Sequence, residues 1–153
     1  MSKTHIPLEQ ARNSLAKVWF IGAGLVFLIL VVQSILGKYE GSLQEVWAWF
    51  VPIVVPTLSL MLGVMGATAL TEGGDKRRVK NFFYKLSSQL SLFYLSILTA
   101  TILLEPFSNT PGVKLYSLSN YWLGPIQGLV VAAISILFAS QDKDEQPAIP
   151  GVS

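Results

Sequence analysis

The stretch Thr71–Lys85, TEGGDKRRVKNFFYK, holds five of the eleven basic residues in this chain of 153 residues. It divides the chain into two halves, and each half contains two apolar segments that are long enough to cross a bilayer. Connectors on the cytoplasmic side of a membrane carry an excess of Lys and Arg. The stretch is therefore predicted to stay in the cytoplasm, and this placement sets the direction of every other segment.

The composition is typical of a membrane protein. Hydrophobic residues make up 52% of the chain and charged residues 13%, whereas soluble domains have about 25% charged residues. There is no cysteine, which excludes disulfides, thiol nucleophiles and zinc–thiolate sites. The one histidine, His5, lies outside the apolar segments, so haem ligation inside a helical bundle is not expected.

Four apolar blocks have the length of membrane-spanning helices, since about 20 apolar residues cross a hydrocarbon core of roughly 30 Å. The sequence predicts an all-α integral membrane protein with a four-transmembrane-helix bundle at residues 18–140. A cytoplasmic interfacial arm is expected at 1–17 and a flexible cytoplasmic tail at 141–153. The spans are predicted at about 18–36, 46–70, 86–104 and 121–140.

The arm before the first span has the pattern of a short helix. Pro7 suits the start of a helix, and Leu8, Ala11 and Leu15 follow at i, i+3 and i+7. Arg12 is expected on the remaining, exposed surface. We therefore predict an interfacial helix that runs into the first span.

The basic residues also predict the orientation of the spans. The N-terminal segment has three Lys and Arg, the middle connector five and the C-terminal tail one, whereas the two other connectors have one each. Both termini are therefore predicted to be cytoplasmic, N-in and C-in. The aromatic residues that would then lie at the outer membrane surface are Trp47, Trp49, Tyr121 and Trp122.

The second helix is expected to begin at about Leu43 and to be bent. Pro52 and Pro56 fall inside it, and proline removes a backbone donor and clashes one turn back, so a kink is predicted. Gly63 and Ala67 follow with the spacing of a small-residue packing motif. Such a helix can line a pore or hinge a gate, or can simply be bent to fit its neighbours.

The third helix is expected to begin near Lys76, on an amphipathic pattern, and it contains the most polar of the four spans. Its hydroxyl groups include those of Ser88, Ser91, Ser96 and Thr99. Hydroxyls inside a membrane can form hydrogen bonds between helices, and they can also line a wet path. The sequence leaves both roles open.

The fourth span carries the clearest helix-packing motif. We expect a loop at 107–120, followed by a helix that contains Gly124-Pro-Ile-Gln-Gly128. Gly124, Gly128 and Ala132 lie on one helical face, so two backbones can approach closely there. Gln127 is beside this face and can form a hydrogen bond between helices. The motif does not distinguish a contact within one chain from a contact between chains.

The basic cluster of the middle connector has the size of an anionic-lipid site, which typically has four to eight Lys and Arg. It can also be a topology signal with no further role. Nucleic acid is not an expected partner, because lipid headgroups already surround so short a patch. The residues of the cluster are Lys76, Arg77, Arg78, Lys80 and Lys85.

No Asp, Glu, Lys, Arg or His lies inside any of the four blocks. Intramembrane charge usually marks ion coupling and proton relays, so an ion-coupled transporter is not expected. Neither a phosphate-binding loop nor a dinucleotide motif is present, and a serine nucleophile would have no basic partner. We predict a protein that is not an enzyme and that needs no metal or cofactor.

Two hypotheses about function follow. The first is a small multi-pass membrane protein that self-associates through its spans, as a pore or channel or as a membrane-perturbing effector. The second is a non-conducting anchor or accessory subunit of a larger membrane complex. Transport of a small molecule without charged residues ranks third. The expected location is the membrane, in a bacterium the inner membrane, and the expected partners are anionic lipids and further copies or other membrane subunits.

Overall fold

The structure is a computed structural model that describes residues 5–70 and 78–138. Its architecture is helical, with four helices that are each long and apolar enough to cross a membrane. The prediction of a four-helix bundle is confirmed at this level. The helices are α1 (Leu8–Ile35), α2 (Leu43–Leu70), α3 (Asn81–Leu104) and α4 (Gly112–Phe138).

Two short strands lie at one end of the bundle, here called the strand end. Strand β1, His5–Pro7, pairs antiparallel with β2, Arg78–Lys80, and Ile6 is opposite Val79. Each strand leads directly into a helix, α1 or α3. Trp19 of α1 contacts Ser91 of α3, and Gly22 lies against Leu95 further along both helices, so α1 and α3 run in the same direction. The pairing brings the N-terminal arm and the middle connector to the same end, as the predicted orientation requires; which side of the membrane they occupy stays a prediction.

The four helices form a ring. α1 packs against α2 and α3, and α4 packs against the same two helices. Neighbours along the ring alternate between parallel pairs, α1 with α3 and α2 with α4, and antiparallel pairs. The two halves of the chain therefore contribute equivalent helical hairpins. Large side chains fill the interior, and among the fully buried ones are Trp19, Met61, Leu98 and Ile134.

The predicted helix of the arm is confirmed. α1 begins at Leu8, directly after Pro7, and continues without a break into the first apolar block. Leu8, Ala11 and Leu15 are all buried, with exposed fractions of 3% or less. The i, i+3, i+7 pattern thus identified the packed face of this helix, and the helix is a part of the bundle.

The start of the third helix was placed wrongly. α3 begins at Asn81, because the three residues before it are extended and pair with β1. Lys80 has backbone angles of φ −62° and ψ 129°, which are incompatible with a helix. Lys76 and Arg77, with the tail at 141–153, lie outside the described residues.

The predicted loop at 107–120 is much shorter in the structure. α3 is followed by a 3₁₀ turn at Glu105–Phe107, and α4 already begins at Gly112. The early start has a packing cause, since Tyr116 and Ser119 are buried with exposed fractions of 1% and 0%. A loop here would remove both residues from the core.

The prolines lie inside continuous helices. Pro52 and Pro56 are exposed residues of α2, and Pro125 is an exposed residue of α4. Exposure suits these prolines, because the missing N–H donor and the bulk of the ring then lie on the outer side of each helix and do not disturb the core. The kink in α2 stays a prediction.

Candidate functional site

The predicted packing motif of α4 forms an open stripe on the bundle surface. Gly124, Gly128 and Ala132, here called the α4 stripe, are all exposed. A Cβ atom built at Gly124 or at Gly128 would have no other heavy atom within 4 Å. No described helix of the same chain covers the stripe. Within this chain, therefore, these small residues do not bring two helices together.

The small residues of α2 are similarly placed. Gly63 and Ala67 are exposed in the last two turns of the helix, and a Cβ at Gly63 would also meet open space. Gly22 on α1 is different, since a Cβ there would lie 2.7 Å from Cδ1 of Leu95 on α3. Gly22 is therefore a glycine at which α1 and α3 approach closely.

The hydroxyl groups of α3 fall into two classes. The Ser91 hydroxyl is buried and accepts a hydrogen bond of 3.0 Å from the indole nitrogen of Trp19 on α1. Ser96 and Thr99 instead donate to carbonyls of their own helix, those of Leu92 and Leu95, each at 2.7 Å. The first class joins helices, whereas the second uses its one donor within its own helix and can only accept a bond from a neighbour.

Two further positions complete the polar contacts of α3. Ser87, which the sequence analysis did not single out, donates to the Ala133 carbonyl of α4 at 2.9 Å. Ser88 is half-buried. Contacts of α3 with both neighbours in the ring are thus made through buried serines.

Gln127 forms a hydrogen bond between helices. Its side-chain amide donates to the backbone carbonyl of Ile53 on α2 at 3.1 Å. Pro56 removes one backbone donor from the same region of α2. The missing donor would have bonded to the carbonyl of Pro52, four residues earlier in the helix. The bond from Gln127 to Ile53 is therefore an additional contact between α2 and α4 and does not replace the lost bond.

A polar and aromatic network holds the end of the bundle opposite to the strands. Trp49 stacks on Tyr116 with ring centroids 4.6 Å apart, and its indole nitrogen donates to the Ser119 hydroxyl at 3.1 Å. The hydroxyls of Tyr116 and Tyr39 lie 2.7 Å apart. Tyr39 also donates to the side-chain oxygen of Gln33 at 2.5 Å. The network therefore joins α1, α2, α4 and the connector between α1 and α2.

An ion pair extends this network to α3. The Lys38 ammonium lies 2.5 Å from a carboxylate oxygen of Glu105, the residue that follows α3. Burial raises the pKa of the Tyr39 hydroxyl, and the hydrogen bond with Tyr116 and the nearby Lys38 charge oppose part of this rise. Tyr39 is therefore neutral at physiological pH and remains a hydrogen-bond donor.

Arg12 is buried, which corrects the expectation that it lies on the surface. Its exposed fraction is 2%, and its Nε donates to the Leu137 carbonyl at 2.8 Å, with a second, longer bond to the carbonyl of Phe138. The guanidinium also lies 5.8 Å from the ring centroid of Phe138. A cation is favourable at the carbonyl end of a helix, so Arg12 ties α1 to the last turn of α4.

The members of the basic cluster that the structure describes are exposed at the strand end of the bundle. Arg78 and Lys80 are exposed on β2, and Lys85 is exposed as the fifth residue of α3. Nothing in the described residues tests whether they contact lipid. In the same residues, no group of three or more His, Asp or Glu side chains is placed to hold a metal ion.

Sequence reasoning missed the two Trp–Ser bonds. Each joins one of the parallel helix pairs, Trp19 to Ser91 and Trp49 to Ser119. Trp49 is buried with an exposed fraction of 8%, and its level at the outer membrane surface stays a prediction. A buried indole needs an acceptor for its N–H. The number of serines in the spans was the available signal, although it does not reveal which serine faces which tryptophan.

Comparison with protein-family models, with curated proteins and with solved structures finds no match to this chain.

Proposed function

We propose that this chain is a small multi-pass membrane protein whose copies associate in the bilayer along the α4 stripe. The observation that supports the proposal is the open space around Gly124 and Gly128 on an exposed helix face. Helices in lipid associate by close van der Waals packing, for which small residues are favourable. The α4 stripe offers this contact and no described part of the chain occupies it.

The contrast with Gly22 supports contact between chains. Where this fold brings two of its own helices together over a glycine, a side chain already fills the space, as Leu95 does at Gly22. The stripe of α4 has the same residue type with no such neighbour. A second copy is the simplest partner, because it needs no other gene product; an anchor or accessory role in a larger complex uses the same face against another subunit.

Conduction between copies is the second candidate function. The observation that favours it is the polar side of α3, where Ser96 is exposed and Ser88 and Thr99 are half-buried. Two observations weigh against it. Ser96 and Thr99 already donate to their own helix, and large side chains fill the interior of the single bundle. A pore would therefore run between copies rather than through one.

The remaining elements of the proposal concern setting and chemistry. We place the protein in a cytoplasmic membrane, N-in and C-in, with Arg78, Lys80 and Lys85 toward anionic headgroups. We propose no catalytic role, because the four apolar blocks of the sequence contain no Asp, Glu, Lys, Arg or His that could serve a serine nucleophile as a base. A reporter fused to either terminus that is active only outside the cytoplasm would contradict the orientation.

The test of self-association is the mass of the purified protein in lipid nanodiscs. Wild type is expected to form a discrete oligomer. Gly128→Leu places a large side chain on the stripe and is expected to weaken association at least tenfold, which corresponds to about 1.4 kcal/mol. Gly24→Leu is the matched control, since Gly24 is an exposed glycine of α1 with equally open surroundings.

Three results would count against the proposal: a monomeric wild type, an unchanged oligomer with Gly128→Leu, or an equal effect of Gly24→Leu. Ion and dye flux is then measured in liposomes that contain the same protein. Flux that disappears with Gly128→Leu would favour a pore between copies. An intact oligomer in tight liposomes would favour the non-conducting assembly.

A further inference from the structure

A groove of about 660 Å³ runs along the bundle surface between α1 and α3. Its sides are apolar, with Ile21, Leu92 and Leu103 each about half exposed or more. Gly22 and the buried Leu95 also line it, and the Leu95 side chain occupies the space in front of Gly22. On α3 the lining extends from Leu92 to Leu103, or about 16 Å along the axis at 1.5 Å per residue.

The two hydroxyls in the groove do not make it polar. Ser96 and Thr99 line it, but both donate to backbone carbonyls four residues earlier in α3. Their hydrogen-bonding needs are therefore largely met without water or a ligand. The groove suits a hydrocarbon chain better than a polar solute.

One cation lies in the groove, at its end nearest to the strands. Lys17 is exposed, and Val18, the next residue, begins the uncharged part of α1. Among the described residues, Lys17 forms no ion pair. A Lys at the edge of an apolar span can extend its ammonium to the headgroup level while its stem remains along apolar surface. The groove thus combines an apolar channel with a positive charge at one end.

We propose that this groove binds one anionic phospholipid, with the phosphate at the Lys17 ammonium and one acyl chain between α1 and α3. Charge complementarity selects this occupant, because an anionic lipid brings both a negative phosphate for Lys17 and a hydrocarbon chain for the apolar sides of the groove. The site is separate from the α4 stripe, so it does not depend on self-association. It is also separate from the basic cluster of the middle connector, which offers charge without a groove.

The test uses the full-length protein in detergent with added phosphatidylglycerol or phosphatidylcholine, and native mass spectrometry counts the lipids retained per chain. We expect one phosphatidylglycerol to be retained in preference to phosphatidylcholine. Lys17→Gln is expected to lower this preference about fivefold, the effect of one basic residue near a lipid headgroup. Lys17 is exposed, so the variant should fold.

Two controls separate the groove from general attraction. Lys114→Gln removes one exposed charge at the other end of the bundle and should leave the preference unchanged. Ala100→Phe fills the groove without changing charge and should lower retention of both lipids, whereas Ala48→Phe, on an exposed face of α2, should not.

Equal retention of the two lipids by wild type would overturn the proposal. Equal effects of Lys17→Gln and Lys114→Gln would also overturn it, because attraction would then depend on net charge. If Ala100→Phe alters the oligomer mass and leaves lipid retention unchanged, a second copy occupies the groove and the lipid does not.

Discussion

Gly22 and Gly24 stand two residues apart on α1 and have the same chemistry, but only Gly22 lies against another helix, through Leu95. Ser91 and Ser96 on α3 differ in the same way, because Ser91 accepts a bond from Trp19 and Ser96 bonds to its own backbone. The rotation of each helix therefore decides whether a small or polar residue holds this bundle together or faces its surroundings. The outward-facing residues are those that lipid and other chains can contact, so helix rotation also decides which residues can serve a function outside the bundle.

The largest effect in this comparison is expected at Arg12. Arg12→Met removes a buried cation from the carbonyl end of α4 and should lower the free energy of unfolding by about 1.5 to 3 kcal/mol, the range for hydrogen bonds to charged groups. Gln10→Met, on the exposed surface of the same helix, should change it by no more than about 0.5 kcal/mol. Titration with SDS in mixed micelles measures both values.

Arg12→Lys sharpens this prediction. Lysine keeps the charge but loses the planar fork that bonds to Leu137 and Phe138, so an intermediate loss of stability is expected. Equal stability of Arg12→Met and the Gln10→Met control would show that the contact between α1 and the end of α4 contributes little.

The next effect concerns the two glycines of α1. Gly22→Val forces Leu95 to move and should cost about 1 to 3 kcal/mol, as for other overpacked positions. Gly24→Val meets open space, so its stability should stay within about 0.5 kcal/mol of wild type. Thermal unfolding followed by circular dichroism in detergent compares the two. A larger loss with Gly24→Val than with Gly22→Val would contradict the packing of α1 against α3.

The sequence predicted the parts of the fold that depend on one segment at a time. Length and hydropathy are local properties, so the four helices, the start of α1 and the end of α3 followed from them. The start of α3 did not, because residues 78–80 are extended only through their pairing with residues 5–7, which are distant in the chain. The early start of α4 likewise depends on Tyr116 stacking on Trp49 of another helix.

The candidate site was predictable only in part, for a related reason. The motif at Gly124 and Gly128 can be read from spacing, but whether it faces the core or the outside depends on the rotation of α4. At Arg12 the error went the other way: the amphipathic spacing predicted an exposed side chain, but Arg12 is buried. Burial is favourable there because the carbonyl of Leu137, far away in the chain, accepts a hydrogen bond from it. The sequence contains these residues without specifying which helices meet.

The smallest effect tests the comparison within α3. Ser91→Ala removes the acceptor of the Trp19 indole and should cost about 0.6 kcal/mol, the average for hydrogen bonds between membrane helices. Ser96→Ala removes only a bond to its own helix and should cost close to zero. A double-mutant cycle with Trp19→Phe isolates the bond, because the loss of indole volume is common to both Trp19 variants and cancels. Two results would contradict this difference between the serines: a coupling energy near zero between Ser91 and Trp19, or an equally large coupling between Ser96 and Trp19. Either result would mean that Ser91 is buried by packing alone.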